Sequence, residues 1–130
     1  MAIHTYWDQI NPAIIHMDLV DSWTWADYHE ANKVVVVMAK TVDHRVDQIL
    51  DMRQSAPIPR ENARDNIKAA RQIHQENMCI TVIVGSDETI EALVEFMTYL
   101  YGNRYHPRFL ANSLDEAYTI IQRHYAGEIR

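Results

Sequence analysis

Two short runs rich in β-branched and aromatic residues open the chain, IHTYW at 3–7 and AIIHMDLV at 13–20. Between them lies DQINP, whose Asn11-Pro12 pair is a turn signal, so the two runs predict a hairpin. The pattern then changes period. Four consecutive valines at 34–37 suggest a strand, but Trp25, Tyr28, Asn32, Val35, Met38, Ala39 and Val42 fall on one face at about 100° per residue. That spacing predicts a helix despite the modest helix propensity of valine. Its start is also marked: Thr24 stands as N-cap with Asp27 three residues on, and Trp23 and Tyr28 occupy the two staple positions.

Beyond it, VDQILDM at 46–52 predicts a buried strand, followed by a polar loop and a helix over 61–75 with Ala63, Ile67, Ala70 and Ile73 as its apolar stripe. CITVIVGS at 79–86 is β-branched and free of charge, the pattern of a strand buried on both faces in a parallel sheet. DETIEALVEFMTYLYG predicts a third helix, with Ile90, Leu93, Val94, Met97 and Leu100 inward and Gly102 as its stop. RFLAN at 108–112 gives a last strand, and a final helix follows Ser113, which with Glu116 has the capping-box spacing. The order β-β-α-β-α-β-α-β-α predicts a single α/β domain over 1–130, a hairpin followed by right-handed βα repeats on a mostly parallel sheet.

Composition narrows the functional classes. Hydrophobic residues make up 48% and charged residues 23%, values of a globular chain able to bury one core. The three glycines, Gly85, Gly102 and Gly127, cannot spell a dinucleotide or P-loop fingerprint. A formal net charge of −6 argues against general nucleic-acid binding. Cys79 is the lone cysteine, which leaves neither an intrachain disulfide nor a cysteine zinc site. No window approaches the apolar length of a membrane helix, and the first residues lack the basic and apolar regions of a signal peptide, so a cytoplasmic, reducing setting is expected.

Four stretches carry a resemblance: SWTWADYHEA at 22–31, VDQILDMR at 46–53, ITVIVG at 80–85 and SLDEAY at 113–118. With this element order, the chain resembles the STAS family, the anti-sigma-factor antagonist fold, and most of all its stand-alone bacterial STAS-like members that share a W-T-W opening to the first helix. The resemblance implies a regulatory serine or threonine after a strand-ending aspartate, at the start of the following helix. Asp51 matches the aspartate. The helix start PIPREN offers no hydroxyl, and Ser55 falls earlier, within the loop.

Residue chemistry adds candidates. Ser55 is a candidate phosphoacceptor beside Asp51, Arg53, Arg60 and Arg64, since arginines and a helix N-terminus stabilise phosphate. Arg60, Arg64, Lys68 and Arg71 share one side of the second helix, a docking stripe or a solvated face that Glu61 and Asp65 neutralise. Of seven histidines none has zinc spacing, and His16 with Asp18 and Asp43 with His44 are the best local pairs. Asp47 and Asp51 lie along one strand without evident partners that would shape their titration. Ser86 fits a helix N-cap, a place Asp87 could equally take, better than a nucleophile, and Cys79, at the head of a buried strand, fits packing. No catalytic residue, metal or cofactor is expected.

Apolar surface exceeds what one buried stripe per helix requires. On the first helix Val34 and Val37, and on the third Phe96 and Tyr99, are candidate contacts for a homodimer. The leading expectation is therefore a non-enzymatic regulatory interaction module with a protein partner. The alternative is a small-molecule or lipid carrier, with a pocket between those two helices lined by Tyr28, Met38, Met97 and Tyr101.

Overall fold

The computed structural model describes residues 2–73, 75–85 and 108–128, with Arg71 by its backbone alone. Five strands form one sheet: β1 (Ile3–Trp7), β2 (Ile14–Asp21), β3 (Val46–Ser55), β4 (Met78–Val84) and β5 (Arg108–Ala111). They lie in chain order, β1-β2-β3-β4-β5. β1 is antiparallel to β2 and every later pair is parallel. Among the described residues the helices are α1 (Trp25–Lys40), α2 (Ala63–Gln72) and α3 (Leu114–Tyr125). The hairpin, the mostly parallel sheet and the α/β class agree with the sequence pattern. The helix predicted over 87–102, with its five inward residues, its N-cap at Ser86 or Asp87 and its stop at Gly102, lies outside the described residues.

The start of α1 is built as its sequence dictates. Thr24 Oγ1 accepts from Asp27 N–H at 3.1 Å, and Asp27 Oδ2 accepts from Thr24 N–H at 3.0 Å. Such a cap stabilises a helix by about 1 kcal/mol. Trp23 and Tyr28 meet with ring centroids 5.8 Å apart, closing the staple, and Trp25 stands edge-on to Trp23 at 5.1 Å. The valine run is helical, with Val35 buried between Ala31 and Ala39. At the far end the Asn77 side-chain amide donates to the carbonyls of Ala39, Val42 and His44 at 2.9, 3.2 and 3.1 Å. One side chain thus collects orphan carbonyls where α1 runs out.

Two boundaries differ from the sequence prediction. β3 runs three residues further, through Ser55, because β2 also extends and pairs Asp21 with Ser55. α2 begins at Ala63 and ends at Gln72, inside the predicted 61–75. Asn62 adopts the left-handed conformation (φ 57°), tolerated by asparagine, and Ile73 is already extended. At α3, Ser113 Oγ accepts from Glu116 N–H as predicted, but the Glu116 carboxylate reaches Asn112 N–H, one residue before the cap.

Strand alternation sorts the core into two layers. On one face Ile3, Ile15, Met17, Leu19, Val46 and Leu50 pack beneath α1 around Val35 and Ala39. On the other, Ile14, Ile49, Ile80, Val82 and Val84 pack under α3 through Ala117 and Ile121. α3 covers β4 and β5. Toward β1 and β2, the same sheet face turns from aliphatic to polar.

Candidate functional site

The corner singled out by the sequence is a closed set of hydrogen bonds. Arg53 forks onto Asp51, Nε to Oδ1 at 3.0 Å and Nη2 to Oδ2 at 2.8 Å, and Arg53 N–H also donates to Oδ1 at 3.0 Å. Burial works against the Asp51 charge, but these bonds outweigh it and hold the carboxyl below the usual range. Ser55 is engaged on both sides. Its Oγ accepts from Trp23 Nε1–H at 2.7 Å, and its hydroxyl donates to the Ala56 carbonyl at 2.6 Å. Being the last residue of β3, it stands well before the first turn of α2. Trp25 Nε1–H donates to the Pro59 carbonyl at 3.1 Å, pinning the two-proline loop to α1. Arg60, Arg64 and Lys68 are exposed. The structure brings Asp51, Arg53 and Ser55 together on one strand and leaves Arg60 and Arg64 beyond the turn.

A second cluster, which sequence reasoning missed, occupies the polar part of the sheet beside α3. His16 is buried (4% exposed), with Nε2 2.7 Å from Asp8 Oδ1. The Tyr118 hydroxyl donates to the same Asp8 oxygen at 2.5 Å and lies 3.2 Å from His16 Nε2. Tyr6 stacks on the imidazole at 4.9 Å, and its hydroxyl donates to Asp18 Oδ2 at 2.5 Å. The expected His16–Asp18 pair is therefore not formed; the hairpin loop supplies Asp8 instead. Asp8 also accepts from the N–H groups of Ile10 and Asn11. Burial opposes its charge, yet the bonds from Tyr118, Asn11, His16 and Ile10 pull its carboxyl well below the ordinary range. Burial and then Asp8 push the Tyr118 phenol up to about 12, and burial and then Asp18 push Tyr6 higher still. An ionised Asp8 only accepts, so His16 Nε2 carries a proton and donates it to Asp8 Oδ1. His16 Nδ1 is buried and has no hydrogen-bond partner among the described residues.

At the opposite end of β3, Arg45 forks onto Asp47. Nε lies 3.1 and 3.2 Å from the two carboxylate oxygens, and Nη2 lies 3.0 Å from Oδ1. Asp47 is fully buried and also accepts from Ile80 N–H at 3.2 Å. Arg45 Nη2 donates to His124 Nδ1 at 2.9 Å, and the guanidinium lies 4.0 Å over the Tyr125 ring. Burial raises the Asp47 carboxyl in spite of Arg45. Both aspartates of β3 thus have partners shaping their titration, contrary to expectation. The signal was present: arginine two residues from aspartate on a strand shares its face. Cys79, half-buried nearby, has its thiol raised by burial, which keeps it in the unreactive form.

His29 pairs with Asn66 of α2 at 2.8 Å, and His44 faces the Arg45 carbonyl. Among the described residues no group of histidine, cysteine and acidic side chains is placed to hold a metal, and no helix is long and apolar enough to cross a membrane. On α1, Val34 and Val37 are exposed, 46% and 62%. Tyr28 and Met38, proposed pocket residues, pack against the core beneath α1, and burial raises the Tyr28 phenol. Their predicted counterparts Met97 and Tyr101, like the contact residues Phe96 and Tyr99, lie outside the described residues. No family model matches the chain, and no curated protein matches it.

Proposed function

We propose that this chain is a non-enzymatic regulatory interaction module of STAS-like type, dimeric, that works by surface contact and has no phosphorylation switch at the β3–α2 corner. The observation that carries the reading is Ser55. A switch hydroxyl at a helix start stands free to receive phosphate on backbone N–H groups, whereas the Ser55 hydroxyl is bound by Trp23 and Ala56 on the end of a strand. The His16 cluster supports the same reading. Asp8 is held ionised and the two tyrosines are held protonated, each shifted away from neutrality, where a general acid or base would be poised.

Mass spectrometry of the protein from its native cells tests the absent switch: Ser55 is expected unmodified, and substantial phosphate there would sink it. Light scattering tests the dimer, which a strict monomer at high concentration would remove.

A further inference from the structure

Among the described residues the first strand is an open edge: β1 pairs with β2 alone, at the end of the sheet. Its free side follows from hydrogen-bond parity. Asp8 N–H donates to the Ile14 carbonyl at 2.8 Å, and Val20 N–H to the Ala2 carbonyl at 2.7 Å. In an antiparallel ladder the bonded pairs alternate, so Ala2, His4, Tyr6 and Asp8 direct their backbone groups at β2. Ile3, Thr5 and Trp7 direct theirs outward, where no described residue receives them. Exposed edges are normally blunted by lysine, proline, a bulge or an inward charge. Ile3–Trp7 has none of these, and its register with β2 is unbroken.

We propose that a second copy of this chain pairs antiparallel with the edge of β1, about a twofold axis through Thr5, making one ten-stranded sheet across the dimer. The inference rests on the dimeric reading above and names its contact. The register is self-complementary. Thr5 exchanges both bonds with the partner's Thr5, and Ile3 and Trp7 do so with the partner's Trp7 and the partner's Ile3, leaving no outward group of β1 unpaired. His4 then faces the partner's Tyr6 in the closer, non-bonded pairing, ring against ring on the face away from α1. α1 joins the contact. His29 and Trp25 tie one flank to α2 and its preceding loop, and Val34 lies about 140° round the helix from His29. That is the flank toward β1, so the half-exposed Val34 faces its copy across the axis.

The test uses the full chain in light scattering across a concentration series, with the Thr5→Pro variant. The Thr5 N–H has no partner among the described residues of one copy, so proline removes the central bonds of the dimer while the edge strand tolerates it. The expected result is a dimeric parent and a variant whose dimer is weakened about tenfold or more, with an unchanged circular dichroism spectrum. A parent dimer that Thr5→Pro leaves intact overturns the β1 contact and spares the dimeric reading. A parent that is monomeric throughout overturns both. Should Thr5→Pro not fold, Thr5→Cys on a Cys79→Ser background decides. A nitroxide label on that cysteine would stand beside its copy across the axis, where the paired Cα atoms are about 5.5 Å apart. Spin–spin broadening of the spectrum is therefore expected, and an unbroadened spectrum overturns the contact.

Discussion

The same device, an arginine and an aspartate two residues apart, occurs twice along β3. At its start Arg45, just before the strand, holds Asp47; further along Asp51 pairs with Arg53, and the two pairs behave oppositely. At Arg45–Asp47 the carboxylate is fully buried and its affinity for a proton rises. At Asp51–Arg53 the carboxylate keeps some water (15% exposed), the arginine more (45%), and the proton affinity falls. Guanidinium forks of similar length hold both. The partner is therefore not what sets the sign; the desolvation it must overcome does. Asp47 carries a structural obligation, since it also holds Ile80 N–H in β4. Asp51 lies inside β3, between Asp18 of β2 and Val84 of β4, and its carboxylate is held by Arg53.

The largest break in the symmetry should come from Arg45→Met. Removing one partner of a buried pair costs about 3–5 kcal/mol, read as a lower urea midpoint at neutral pH. The loss should shrink in acid, where Asp47 takes up a proton; a pH-independent loss would refute this account. Arg45→Lys sharpens the point by keeping the charge and losing the fork. It should cost about 1–2 kcal/mol, and a neutral outcome would reduce the fork to a point charge.

The pH dependence of the two aspartates should run in opposite senses. The Asp51 contribution is present above the unfolded value of about 3.9 and is lost as pH falls through its lower folded value. For Asp47, raised in the fold, stability declines as pH rises from about 3.9 through its folded value. Carboxyl-carbon NMR should therefore place the Asp47 midpoint above that reference and the Asp51 midpoint below it. Like-signed displacements would end the comparison. Smallest of all, Arg53→Ala should cost under about 1 kcal/mol and less in high salt, as expected of a partly exposed pair; a loss matching that of Arg45→Met would place Asp51 in the core.

Local rules made the fold legible. Thr24 and Asp27 announced the start of α1, helical spacing overruled the β preference of Val34–Val37, and the charge-free run at β4 foretold burial on both faces. The candidate site was less so. Ser55, Asp51 and Arg53 were identified, but the engagement of Ser55 by Trp23 joins residues 32 positions apart. The bond from Tyr118 to Asp8 spans 110 positions. Periodicity reports which face a residue occupies; it carries nothing about which distant loop arrives there. His16 was paired with Asp18 because that acid was near in sequence, while the fold supplied Asp8 from the hairpin turn.

The amide of Asn77 gives the protein a chemical clock. Its nitrogen is a donor toward three carbonyls at the end of α1, a position that a carboxylate, which only accepts, cannot fill. Slow hydrolysis of that side chain to a carboxylate would set acceptor against acceptor and turn attraction into repulsion at all three. Ageing of a stored sample should therefore loosen residues 41–45 before it touches the sheet. The mass gain of deamidation at Asn77 should track faster amide exchange in that segment, and exchange that stays constant as the deamidated fraction grows would stop the clock.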